Sequence, residues 1–224
     1  MKIKEGMTCY YCGGKAVSSE HVPPRCFFPK DKRYSLIQVP ACEKHNESTS
    51  IDDSYVLFII SSFIGNNEVG NKHSINKGIK PVLRSEALQT VIKENSIDAF
   101  ADSGNGLMPT KIISIDRDRF DEEIRKMAYA MYFHTYNHRW NRELYVGTNS
   151  MLCSDGGIEE LGALINNVKE FLEKSGFNQT NPFSGSNPDV FKYRFLETEK
   201  ADEPILQMIF YGSFEVWVFV KIDI

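Results

Sequence analysis

An α+β fold is what this sequence predicts, and three observations predict it. The first 50 residues are rich in Cys, Pro, Lys and small side chains and contain no long periodic element. The middle of the chain repeats apolar residues at spacings of three and four, the period of an amphipathic helix. The C-terminal end is dense in β-branched and aromatic residues on both sides of Gly212-Ser213, the pattern of strands joined by a tight turn. The expected architecture is a small N-terminal module over residues 1–65 and an α+β domain over residues 80–224. The second is expected to be mostly helical and to close with a C-terminal β-hairpin.

Taken in order, a helix is expected to start near Ser50, with Asp53 three positions on as an approximate capping box. It runs through Tyr55, Leu57, Phe58, Ile60 and Ile64 and stops at Gly65-Asn66-Asn67. Residues 65–79 read as a Gly- and Asn-rich loop and as the best candidate for a boundary. A second helix is expected over about Val82–Glu94, a turn at Asp102–Gly106, and a short strand over Lys111–Ile115. Phe120, Ile124, Met127 and Met131 mark a convincing amphipathic helix, and Ile158, Leu161, Ile165, Val168 and Leu172 mark another that ends at Ser175-Gly176. Pro204–Tyr211 and Phe214–Ile222 are the two hairpin strands.

Composition narrows the function classes. With 42% hydrophobic and 25% charged residues in a chain of 224, this is the make-up of a globular protein. No apolar run approaches the roughly 20 residues of a membrane span, and no apolar stretch follows the basic N-terminus, so a cytoplasmic location is expected. A net charge of −4 argues against a protein that coats nucleic acid over its whole surface. The charge is uneven, however: residues 1–50 carry eight Lys+Arg against five Asp+Glu, and the rest carry 18 against 25.

The basic segment also holds the cysteines. Cys9-x-x-Cys12 and Cys42-x-x-His45 form two knuckles separated by 29 residues. Ligands three positions apart let one tight turn supply half of a tetrahedral zinc shell, and Gly13-Gly14 suits that turn. Zinc would also supply folding free energy that a core-poor segment lacks. A redox reading of Cys9 and Cys12 would call for a thioredoxin-like βαβ pattern, which the flanking sequence lacks. Cys26 and Cys153 have no ligand-spaced partner and read as ordinary thiols.

Between the knuckles runs Ser19-Glu20-His21-Val22-Pro23-Pro24, and Asn46 directly follows His45. In this order (CYYC, SEHVPP, CEKHN) residues 7–55 resemble the HNH endonuclease superfamily, in its ββα-metal, treble-clef branch that includes phage junction-resolving enzymes. The resemblance implies a treble-clef zinc module carrying a metal-dependent phosphodiesterase site. His21 would be the general base, and Glu20 and Asn46 would hold one Mg²⁺ or Mn²⁺. The implied partner is nucleic acid, DNA ahead of RNA. The different-class alternative is a zinc-finger-type nucleic-acid or protein binding module with a degenerate catalytic site.

Val22 precedes proline and is therefore biased to extended backbone, which lets His21 project from a strand end. Glu20 and His21 are adjacent, so gathering both at one site calls for a bulge or loop there. Arg25, Lys30, Lys32 and Arg33 are candidate phosphate contacts, with a solvated loop the equal alternative. His134 and His138, four apart, read as core or interface histidines, and Tyr129, Tyr132, Phe133, Tyr136 and Trp140 as helix packing. Arg117, Arg119 and Arg125 among acidic neighbours read as a solvated, ion-paired face. Residues 80–224 carry no chemical assignment and are left to substrate choice, a homo-oligomer contact or a protein partner.

Overall fold

The computed structural model describes residues 2–47, 50–80, 86–102, 106–149, 157–174, 181–200 and 202–221. The chain is mixed α+β. Strands β1 (Ser18–His21) and β2 (Gln38–Ala41) form an antiparallel pair, followed by helices α1 (Glu43–Glu47), α2 (Ser50–Ser61) and α3 (Glu68–Ser74). The last continues as one π-helical turn, Ile75–Ile79. Helix α4 (Glu86–Glu94) precedes the hairpin β3 (Ser96–Asp102) and β4 (Leu107–Ile113). Then come α5 (Arg117–Tyr136), β5 (Leu144–Thr148), α6 (Gly157–Lys174), β6 (Ser184–Asn187), β7 (Phe191–Leu196), β8 (Ile205–Phe210) and β9 (Phe214–Val220).

The expected C-terminal hairpin, β8–β9, is present but is only the middle of a larger structure. Five strands form an antiparallel sheet in the order β5-β9-β8-β7-β6, so the C-terminal part is less helical than the spacing suggested. Strand alternation explains why β9 is buried on both sides. Val216, Val218 and Val220 enter the main core with Phe120, Ile124, Met127 and Met131 of α5. Trp217 and Phe219 point the other way and pack with Ile165 and Leu172 of α6. Helices therefore cover both faces of the sheet.

The N-terminal segment does not stand apart from this core. Cys9, Tyr10, Val22, Phe27, Val39 and Ala41 belong to the same buried cluster as α5 and the sheet. Of residues 65–79, expected as a loop, 68–79 are helical for two local reasons. Asn67 caps α3 by accepting a hydrogen bond from the Gly70 backbone N–H at 2.9 Å. Buried Asn66 donates to the Ile60 carbonyl at 2.7 Å, so the two asparagines are spent on joining helices and not on opening the chain. Gly70 lets α3 press directly against Tyr211. Tyr211 in turn donates its hydroxyl proton to the Phe27 carbonyl at 2.7 Å.

Other departures have equally specific causes. The strand expected at Lys111–Ile115 runs Leu107–Ile113, and its partner β3 had no alternation signal because its residues are exposed on both faces, Ile97 and Phe100 among them. The charged stretch of α5 is a set of tethers more than a solvated face. Arg119 bridges to Asp52 of α2 at 2.6 Å and lies 4.3 Å over the Tyr55 ring. Arg117 pairs with Asp121 at 2.7 Å and donates to the Val146 carbonyl of β5 at 2.7 Å. The aromatic run does pack, as expected: Tyr132 is buried and stacks on Trp140 with centroids 4.6 Å apart.

The Gly70 contact gives a test of this packing. An alanine Cβ at position 70 would lie 2.6 Å from Tyr211 Cβ and 2.7 Å from its Cγ. Helix propensity favours Ala over Gly by about 1 kcal/mol, but overpacking costs about 1–3 kcal/mol. Gly70→Ala is expected to lower the urea midpoint with an unchanged slope; a raised midpoint would show that α3 does not press on Tyr211.

Candidate functional site

The two knuckles meet. The ligand atoms of Cys9, Cys12, Cys42 and His45 all lie within 4.8 Å of one another. Cys42 Sγ is 3.0 Å and Cys9 Sγ 3.6 Å from His45 Nδ1, and Cys12 Sγ is 3.9 Å from Cys42 Sγ. Sulfurs that far apart are not bonded, since a disulfide is about 2.05 Å long. Ligands about 2.3 Å from one tetrahedral ion stand roughly 3.8 Å apart, so the cluster can hold a metal ion. No other group of three or more His, Cys, Asp or Glu side chains converges in this way among the described residues.

Backbone bonds shape the cluster. Cys9 N–H donates to Gly14 O at 2.7 Å and Gly13 N–H to Cys9 O at 2.9 Å, a turn that needs Gly13 at φ +75°. The Gly14 N–H donates to Cys12 Sγ and pulls that thiol below its ordinary pKa, favouring the thiolate. Burial holds His45 below the ordinary imidazole value, which keeps a lone pair available.

Helix α5 grips the cluster from outside. The Tyr11 ring lies against His45 with centroids 4.5 Å apart, and Tyr129 meets Tyr11 edge-on at 5.3 Å. The Tyr11 hydroxyl donates to Glu122 at 3.0 Å, and Arg139 donates to the Tyr11 carbonyl at 3.1 Å. The cluster is thereby tied to the helix that organises the sheet. Cys26 takes no part, its thiol pushed up to about 12 by burial. Cys153 lies outside the described residues.

The remaining expected site residues divide between two faces of β1. Pairing with β2 is regular, Ser18 opposite Ala41 through His21 opposite Gln38, so the bulge required to gather Glu20 and His21 is absent. Glu20 shares the inward face with Ser18 and with Val39 and Ala41, both of which are buried. Asn46 reaches that same face, donating to Ser18 Oγ at 2.9 Å. His21 points to the opposite face.

The environment of Glu20 is that of a buried carboxyl. Desolvation pushes it up to about 7, opposed by the Tyr10 hydroxyl and by Lys126, with Asp53 and Glu123 adding repulsion. Its Oε2 is buried without a hydrogen-bond partner. Tyr10, Lys126 and Glu123 were not foreseen, because only the folded chain brings α5 to this face.

His21 has a different setting. Val22 N–H donates to Ile37 O at 3.0 Å, which makes the neighbouring His21–Gln38 pair a non-hydrogen-bonded one, the kind whose side chains stand closest. Accordingly the Gln38 carboxamide nitrogen is 2.7 Å from His21 Nε2. Burial and the charge of Arg25 hold His21 below the ordinary imidazole pKa, so it is neutral near pH 7. Gln38 also borders an open cleft of about 310 Å³ with Met7, Pro40, Phe133, His134 and Asn137.

Of the four basic candidates, Arg25 and Lys30 are exposed. Lys32 is paired with Asp189 at 3.2 Å and ties the loop to the body, and Arg33 donates to the Phe28 carbonyl at 2.9 Å and braces the loop from within. His134 and His138 belong to no ligand group of three or more and are both exposed; His138 meets the Tyr132 ring edge-on at 5.1 Å. No helix among the described residues is long and apolar enough to cross a membrane. Comparison of the chain with protein-family models, with curated proteins and with solved structures finds no match.

Two outcomes follow. Stripping metal with a strong chelator is expected to unfold the shared core as one unit, seen as loss of near-ultraviolet circular dichroism; a β-sheet core that survives intact would limit the cluster to local order. For Glu20, the folded chain holds its proton more tightly than the unfolded chain. Its contribution is therefore present below the ordinary carboxyl value of 4.5 and lost as pH rises through about 7. Glu20→Gln is expected to gain on wild type by about 3 kcal/mol between acid and pH above 7. Parallel stability curves for the two proteins would rule out the buried setting.

Proposed function

We propose that the chain is a zinc-stapled endonuclease that hydrolyses phosphodiester bonds in nucleic acid, DNA ahead of RNA, with His21 as general base. The observation that carries this reading is the strand end itself: a neutral imidazole on the outward face, fixed by Gln38, with exposed Arg25 alongside. The order of Cys9-Cys12, Glu20-His21 and Cys42-His45-Asn46 supports it through the resemblance to HNH enzymes. Zinc is the ion that three thiolates and one imidazole suit best, and its part is structural. It holds β1 at a set distance from α1, the short helix that carries His45 and Asn46.

In the reaction His21 accepts a proton from water, and the water oxygen bonds to phosphorus. The bond from phosphorus to the 3′ oxygen breaks, and that oxygen leaves with a proton from solvent. Arg25 faces the phosphate charge. Glu20 and Asn46 offer hard oxygens, but on the inward face, so the pair does not fit a Mg²⁺ or Mn²⁺ that also serves His21, and no step is drawn through one.

That same inward placement favours a second reading, a zinc-finger-type nucleic-acid or protein binding module with a degenerate catalytic site. Plasmid, single-stranded DNA and RNA incubated with Mg²⁺ or Mn²⁺ separate the two. The nuclease reading expects cleavage that His21→Ala abolishes while zinc content stays the same. Equal cleavage by both proteins would contradict it, and chelator-resistant binding without cleavage of any substrate would favour the binding module.

A further inference from the structure

The hairpin of β3 and β4 has two edges, and they are built differently. Ser114 N–H donates to Asn95 O at 2.8 Å, so Asn95 and Ser114 form a hydrogen-bonded pair at the open end of the ladder. Bonded and non-bonded pairs alternate along an antiparallel ladder. Ser96–Ile113, Asp98–Lys111, Phe100–Pro109 and Asp102–Leu107 are therefore the non-hydrogen-bonded pairs, whose backbone groups turn away from the partner strand. On the β4 edge these positions include Pro109, which has no N–H to offer, and exposed Lys111. Proline and lysine are residues that keep an edge strand from being extended. The β3 edge carries neither. Ser96, Asp98, Phe100 and Asp102 turn their N–H and C=O groups outward there, and among the described residues the sheet ends at β3.

We propose that β3 is the dimerisation edge of this chain, pairing antiparallel with β3 of a second copy about a two-fold axis at Ala99. A two-stranded ribbon is marginal by itself, and three or more strands are needed for independent stability. This ribbon exposes Phe100 (71%) and Leu107 (74%) on one face and Ile97 (65%) on the other. Pairing through β3 turns it into a four-stranded sheet whose outer edges are both the guarded β4. Charge selects the register. Outward positions must meet outward positions, and centring on Ala99 sets Asp98 opposite Phe100 of the second copy and Ser96 opposite its Asp102. A slide of two residues either way sets Asp98 against Asp98 or against Asp102, and like charges directly opposite are destabilising. Asp98 is already matched within its own ribbon by Lys111 at 2.5 Å. An edge that pairs with its own copy closes at two chains, whereas pairing with a different edge of the fold would run on into a filament.

Sedimentation equilibrium of the zinc-loaded full chain over the micromolar range tests this. Wild type is expected at twice the chain mass of 25.6 kDa. Phe100→Pro deletes an outward N–H without touching a β3–β4 bond, and is expected to weaken the dimer about tenfold or more. Lys111→Pro makes the same change on the guarded edge and is expected to leave the dimer as it is. Ala99→Asp and Ala99→Lys each bring like charges together at the axis and should each shift the protein toward monomer, while an equimolar mixture of the two re-forms a dimer. A wild type that stays monomeric would overturn the proposal and leave the β3 edge to a strand of another protein. Two proline variants that behave alike would also overturn it, as would a mixture no more dimeric than its parts.

Discussion

Three sulfurs and one imidazole nitrogen held within 4.8 Å of each other are the constraint on which the rest of this chain depends. Thiolates at that spacing repel one another unless a cation sits among them, and four ligands drawn from positions 9 to 45 cannot converge without fixing the chain between. That chain is β1 and β2. Their register, and hence the faces on which Glu20, His21 and Gln38 appear, follows from where the two knuckles meet. The same constraint reaches further through Tyr11, whose ring covers His45 and whose hydroxyl and carbonyl are bound by Glu122 and Arg139. The cluster is thus joined to α5, and α5 to the five-stranded sheet.

Strand alternation sets the limit on what the site can do. Adjacent residues on a regular strand face opposite ways, and β1 is regular. Glu20 consequently belongs to the interior, where burial and not ligation dominates its chemistry. His21 belongs to the surface beside Arg25 and Gln38. A motif whose members are contiguous in sequence is divided by the fold into a buried carboxyl and a half-buried imidazole on the opposite face, with α5 closing off the former.

Much of this was legible in the sequence, and the reasons are local. The ligand set of Cys9, Cys12, Cys42 and His45 follows from two three-residue spacings, which survive any fold that brings them together. The helix carrying Phe120, Ile124, Met127 and Met131 announces itself by period, and the turn at Gly212 by its need for positive φ. What escaped depends on distant partners. Asn67 looks like part of a long loop until Tyr211 and Asp189 bind it from the far end of the chain. Arg117 and Arg119 look solvated until Asp52 and Val146 arrive from elsewhere in the chain. Strand β3 is exposed on both faces and so leaves no alternating trace. Gln38 could have been found: an antiparallel register imposed by the two knuckles puts it opposite His21.

The central claim is that a metal ion joins the two knuckles into one centre. X-ray absorption at the zinc edge, on protein purified without added metal, tests it most directly. The account predicts one zinc per chain with a shell of three sulfurs and one nitrogen, losing a sulfur in Cys42→Ser. Protein that arrives without metal, or with Cys9 and Cys12 joined as a disulfide, would contradict it.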